Sequence, residues 1–254
     1  MPRYFLEVRY KGTRYSGFQV QENARTIQSE IEKAFAVLHR APVGLTGSSR
    51  TDAGVHGLQN YFHFDFEPGV HEQFLYKMNA ILPDDIAVRS IRAMPATAHS
   101  RFDAASRAYT YRIHQVKNPF LRDGSLFYPY RLNREVMEEG AQLILGQTNF
   151  FAFAKTNSQV RHFECRILEC GWREEGEELL FEIRGNRFLR GMVRLLTATL
   201  LKLGRERIGM EDLEALFTEE RKCGWSVPAH GLYLREVRYP DDYFPAGGAA
   251  STGF

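Results

Sequence analysis

The 254-residue sequence has little cysteine, little tryptophan and almost no net charge: three Cys, two Trp, and 33 Lys and Arg against 31 Asp and Glu. Cys165, Cys170 and Cys223 are odd in number and form no disulfide framework, which points to a reducing compartment, and we expect the cytoplasm. No uninterrupted apolar run is long enough to span a bilayer, so no membrane partner is expected. The first ten residues look like a strand and lack the apolar core of a secretion signal. Walker and dinucleotide fingerprints are missing too, so no nucleotide cofactor is indicated. Nor is a metal expected: on a strand Cys165 and Cys170 face opposite sides, and no second Cys/His pair joins them and His162 to complete a tetrahedron. His56 and His63 find no serine with a matching acid for a triad.

What is present is ordinary for a globular chain, 44% hydrophobic and 25% charged, which argues against disorder. The length allows one large domain or two small ones. The most informative stretch is Thr46-Gly-Ser-Ser-Arg-Thr-Asp-Ala-Gly-Val-His56 with Gly57. Small and hydroxyl residues there surround one cation, Arg50, and one anion, Asp52. Phe62, Phe64 and Phe66 follow at the period-2 spacing of a half-buried strand. The pattern fits a tight loop braced by a strand, presenting a carboxylate. Beside an arginine such a carboxylate stays ionised, as a nucleophile or base must. A Gly-rich turn with a surface ion pair fits this stretch equally well.

The order of elements predicts an α+β fold. Residues 3–10 alternate as a strand, Thr26 caps a helix carrying Ile27, Ile31, Phe35 and Leu38 on one face, and a second helix from Phe74 ends at Pro83. Residues 86–94 give another strand. A polar, Ala-rich connection over 96–106, containing His99, Arg101 and Phe102, separates the halves. Strand 107–114, helix 133–145 with Met137, Gly140, Ala141 and Ile144 inward, and a hairpin of 163–172 with 178–185 across the charged turn 173–177 follow. Then come a long helix over about 187–203, a shorter one near 211–219 and a last strand over 232–239. The segment from Pro240 is expected to fray, with 244–254 a flexible tail. We divide the chain into halves at 1–100 and 101–243.

Two further segments carry chemistry. Arg184, Arg187, Arg190 and Arg194 fall within eleven residues that hold no acid, and helical spacing places the last three on one face. A one-sign row on an apolar helix suits an anionic partner, and guanidinium forks suit phosphate. In strand 107–114, alternation points Arg107, Tyr109 and Tyr111 one way. Such a face suits base stacking, or equally a sheet face covered by a helix.

Together these segments resemble the tRNA pseudouridine synthase A family. The carrying motifs are Tyr10-Lys-Gly-Thr-Arg-Tyr-Ser-Gly-Phe-Gln19, Arg50-Thr-Asp-Ala-Gly-Val-His56, Asn79-Ala-Ile-Leu-Pro83, Arg101-Phe102, Arg107-Ala-Tyr-Thr-Tyr111, Phe188-Leu189, Met192-Val-Arg194 and Gly231-Leu-Tyr-Leu234. Phe18 stands where the family usually has tryptophan, and Arg190-Gly191 replace its paired histidines. The resemblance implies two ferredoxin-like, RRM-like halves whose antiparallel sheets form one continuous sheet, with helices outside and a central active-site cleft. It implies Asp52 as the catalytic aspartate, Arg50 as the residue that positions loop and substrate, Tyr109 as the tyrosine that stacks on the target base, and Arg194 as the aspartate's partner. It implies tRNA as substrate at about positions 38 to 40 of the anticodon stem-loop, held through shape and phosphates, a homodimer, and no metal or organic cofactor. Tyr111, Arg107, Arg187 and Arg190 are the expected substrate contacts. Two other readings stand beside it. One is a non-catalytic RNA-binding protein, which leaves Asp52 without a purpose. The other is a carboxylate hydrolase, which needs a second acid opposite the first, with Asp65 and Asp103 as weak candidates.

Overall fold

The computed structural model describes residues 1–155, 162–245 and 249–251. Its chain is α+β and divides into two compact units, Met1–Ala105 with Leu234–Phe254, and Ser106–Tyr233.

In the first unit the strands are β1 (Arg3–Tyr10), β2 (Thr46–Gly47), β3 (His56–Asp65) and β4 (Ile86–Met94), with helices α1 (Ile27–His39) and α2 (Phe74–Ile81). Strand β1 pairs antiparallel with both β3 and β4. The start of α1 is written in its sequence. Thr26 accepts from the Ser29 amide while Ser29 Oγ accepts from the Thr26 amide, so two of the orphan donors at the helix start are satisfied reciprocally. Ile27, Ile31 and Phe35 then face the sheet, where Phe62 and Phe64 meet them. Phe18 stacks on Phe62 with centroids 4.4 Å apart, and Phe35 meets Phe64 edge-on at 5.4 Å. Each such phenylalanine, buried fully, contributes roughly 1.5–3 kcal/mol.

Strand β3 is not half-buried as its alternation suggests: Asn60 to Phe64 are all buried. The second face is covered from far along the chain, by Tyr239 against Phe5 and Tyr61 and by Phe244 against Tyr61. These rings follow strand β9 (Leu232–Arg238), which lies beside β3 and whose Val237 amide donates to Gln59 Oε1 at 3.0 Å. Beyond Pro240, where fraying was expected, Tyr243 Oη donates to Asp103 at 2.6 Å. Ala249–Ser251 forms β10, antiparallel to β4. The rest of the expected tail, residues 246–248 and 252–254, lies outside the described residues.

The second unit holds β5 (Ser106–His114), β6 (Leu126–Phe127), β7 (Ile167–Glu175) and β8 (Glu178–Gly185), with helices α3 (Arg134–Leu145), α4 (Met192–Gly204) and α5 (Met210–Thr218). Strand β8 pairs antiparallel with β5 and β7, while β6 runs parallel to β5. The sheet is therefore mixed, not wholly antiparallel. Helix α3 buries Met137, Gly140, Ala141 and Ile144, as its spacing predicts. The β7–β8 turn is tighter than expected, because residues 173–175 are still paired as strand and only Gly176 and Glu177 make the connection.

Helix α4 departs furthest from expectation. It begins at Met192, not near 187. Gly191 sits at φ 75°, in the left-handed region that no residue inside a right-handed helix adopts. Upstream, Asn186 is pinned away from helical geometry by exchanging hydrogen bonds with Arg166, its amide to the carbonyl at 3.0 Å and its Oδ1 from the amide at 2.9 Å. The expected row of arginines on one helical face is therefore not there. Arg184 belongs to β8, Arg187 and Arg190 to an exposed connection, and only Arg194 to the helix.

Candidate active site

The segment from Ser48 to Val55 is a loop fixed at several points around Asp52. Its entry is held by β2, whose Thr46 and Gly47 pair with His63 and Phe62, and by the Ser48 amide donating to the Tyr61 carbonyl at 2.8 Å. Just before the aspartate, the Phe18 amide donates to the Thr51 carbonyl at 3.1 Å, and Thr51 Oγ1 lies 2.8 Å from Tyr10 Oη. Just after it, the Val55 amide closes back on the Asp52 carbonyl at 3.2 Å. Gly12 passes so near that a Cβ there would stand 1.9 Å from the Val55 oxygen. Only glycine fits.

Asn60 braces the loop, and no local pattern in the sequence singles it out. Fully buried in β3, it donates to the Ser49 carbonyl at 2.9 Å and to Tyr10 Oη at 3.2 Å. The only signal is the residue type, an amide in an aromatic strand, since asparagine is depleted in strands and must be satisfied when buried. Tyr10 is enclosed with it, and burial pushes its phenol up to about 12, so it remains a neutral bracing group near neutral pH. Asp52 is half-buried and Arg50 exposed.

The neighbouring histidines are structural. His56 Nδ1 accepts the Gly12 amide at 3.2 Å, and His63 Nδ1 accepts the Ser100 amide at 3.2 Å. The two other acids are occupied as well. Asp65 takes both its oxygens to Arg3 at 2.8 and 2.7 Å, and Asp103 accepts from Tyr243 and from the His99 amide. Arg3 holds Asp65 below the usual carboxylate range, and the Tyr243 hydroxyl does the same for Asp103. Neither is placed as the opposing acid of a hydrolase.

In the second unit the structure sorts the expected residues. Tyr109 is 9% exposed and meets the Phe188 ring edge-on at 5.2 Å. Arg107 is half-buried and donates to the Asn186 carbonyl at 3.0 Å. Tyr111 shares the face of Tyr109 but is 0% exposed, and its hydroxyl donates to the Pro228 carbonyl at 2.8 Å. Tyr111 is therefore a core residue rather than a stacking surface; burial raises its phenol pKa, and the nearby Arg194 charge opposes that rise. Arg194, in the first turn of α4, donates through Nε to the Val227 carbonyl at 2.8 Å. That bond leaves its other nitrogens free to serve a second partner, because a guanidinium carries five N–H donors. Phe188, which its sequence context makes a core residue, is the wall that orients Tyr109.

The chain resembles known proteins along most of its length. A family model described as tRNA pseudouridine synthase matches residues 141–240, a span that includes Arg194 but not Asp52. Relatives matching nearly the whole chain are called tRNA pseudouridine synthase A. That of Parabacteroides distasonis is 40% identical over 96% of this chain and 99% of its own length. Those of an Exiguobacterium species and of Bacillus pumilus are 38% and 35% identical, over 94% and 91% of this chain and 98% and 97% of their own lengths.

Proposed function

The chain belongs to the tRNA pseudouridine synthase A family and isomerises uridine to pseudouridine in tRNA, and we propose that Asp52 is the nucleophile of that reaction. The observation that carries this is the bracing of its loop, in which Tyr10, Asn60 and the Phe18 amide hold the backbone on the near side of a half-buried carboxylate. A buried network spent on one short loop fits a group that must be held still for attack.

The isomerisation breaks the bond from C1′ to N1 of uracil, turns the base, and joins C1′ to C5. The C5 proton departs and N1 gains one, so atoms balance without a redox partner. Asp52 acts either at C1′ of the sugar or at C6 of the base, and both routes require its ionised form and a base drawn out of the stack. Tyr109 covers the extruded base, held for this by Phe188, and takes the C5 proton. The family resemblance gives Arg194 the part of the aspartate's charge partner, and Arg50 guides the strand over the loop. Arg107, Arg187 and Arg190 contact the phosphates, the last two from an exposed connection that gives them reach.

The proposal extends to the anticodon stem-loop at about positions 38 to 40 as the site of modification, to a homodimer, and to the cytoplasm. Two ferredoxin-like halves belong to it also, expected at residues 1–100 and 101–243, with Leu234–Phe254 packing in the first compact unit. Support comes from α1 and α2 lying against antiparallel strands in the first unit and α3 packing on β7 in the second. The test is to incubate the protein with unmodified tRNA and no added cofactor, then map pseudouridine by carbodiimide treatment and primer extension. Stops at about positions 38 to 40 are expected. Stops elsewhere, or none, overturn the substrate assignment.

A further inference from the structure

Phe102 is a large apolar ring left 74% exposed beside the Asp52 loop. It belongs to a turn built with unusual care. The His99 amide donates to Asp103 Oδ2 at 2.8 Å and the Asp103 amide returns to the His99 carbonyl at 3.1 Å. His99 Nδ1 accepts the amides of Arg101 and Phe102 at 3.1 and 3.3 Å, while its ring lies 4.2 Å from that of Phe102. Ser100, fully buried, donates through Oγ to the Thr46 carbonyl at 3.0 Å, which ties the turn to the strand that leads into the loop. A turn held at so many points does not leave its apolar tip in water by default.

The ring also borders a concavity of about 350 Å³, within the roughly 300–1,000 Å³ usual for small-ligand sites. Arg50 and Arg101 line it with Phe102 and His99, and none of its lining residues is an acid. Asp52 does not line it either. The chemistry assembled is a stacking face with two guanidinium groups. That combination fits a nucleotide, the ring taking the base and the arginines its phosphates.

We propose that the 99–103 turn is a substrate clamp, in which Phe102 stacks on a tRNA base other than the uridine being converted and Arg101, with Arg50, holds the adjoining phosphates. The inference rests on the reading of the chain as a tRNA-modifying enzyme. Phe102 is then a positioning residue. It touches the RNA without touching the reacting atoms, and sets how the strand enters over Asp52.

The test measures binding of full-length unmodified tRNA at several salt concentrations, with steady-state kinetics on the same RNA, for Phe102→Ala, Phe102→Tyr and Arg101→Gln. One lost stacking contact is expected to weaken binding by roughly tenfold or more. Phe102→Ala should show that loss mainly in Kd and KM, with its salt slope kept, and Phe102→Tyr should restore affinity. Arg101→Gln should lower the salt slope by about one. Because Phe102 is exposed, its replacement leaves the core intact. Affinity of Phe102→Ala within twofold of wild type overturns the clamp. The parent reading fails separately, when the wild-type protein binds this tRNA but forms no pseudouridine, and the affinity ratio still decides the clamp in that case.

Discussion

A carboxylate on a loop is only as well placed as the residues that hold the loop, and around Asp52 these are buried polar side chains rather than the motif itself. Arg50 and Asp52 stand out in the sequence because they are the only charges in a run of small residues. Tyr10 and Asn60 do not, since each lies in a strand whose aromatic neighbours supply the visible pattern. The same limit explains Tyr111: alternation correctly puts it on the face of Tyr109, but no local pattern reveals that the segment around Pro228 and Gly231 closes over it. His63 offers a test at this scale. Burial lowers its pKa to about 4; His99 and Arg3 add to the lowering, and Asp65 and Asp103 oppose it. In the unfolded chain it titrates near 6.5, so the unfolded state binds a proton that the folded state refuses. Its contribution is complete above about pH 6.5 and is lost as pH falls toward 4. The urea midpoint should therefore drop across that window, and less so in His63→Gln. A His63 ring resonance titrating near 6.5 in the folded protein would refute this.

Among elements, those that announce themselves locally are where the sequence places them. The Thr26–Ser29 capping box opens α1, and α3 buries the four residues its period selects. Helix α4 fails the same reading for a physical reason. Arg187, Arg190 and Arg194 have helical spacing, but a glycine with positive φ separates the first two from the third. The signal was Gly191 itself, together with Gly185 and Asn186 at the strand exit. A Cβ on Gly191 meets nothing nearer than Lys155 Cβ at 3.9 Å, so a substitution there strains only the backbone. Gly191→Ala should cost about 1–2 kcal/mol, lowering Tm by roughly 2–8 °C. An unchanged melting temperature would mean that this residue does not need its left-handed conformation.

For the molecule as a whole, nothing local in the sequence announces the return of the C-terminal segment to the first unit. Strand β9 looks like any strand, and nothing local says that it lies beside β3 or that Tyr239 and Phe244 will cover that strand's second face. That covering explains why β3 is buried on both sides and why the Asp52 loop rests on a rigid floor. The decisive measurement is release of tritium from tRNA labelled at uridine C5, made for wild type and Asp52→Asn alongside tRNA affinity. The asparagine keeps the shape and removes the anion, so release should fall on the order of 10⁴-fold or more while binding changes only a few-fold. Release at the wild-type rate from Asp52→Asn would mean that another group performs the attack.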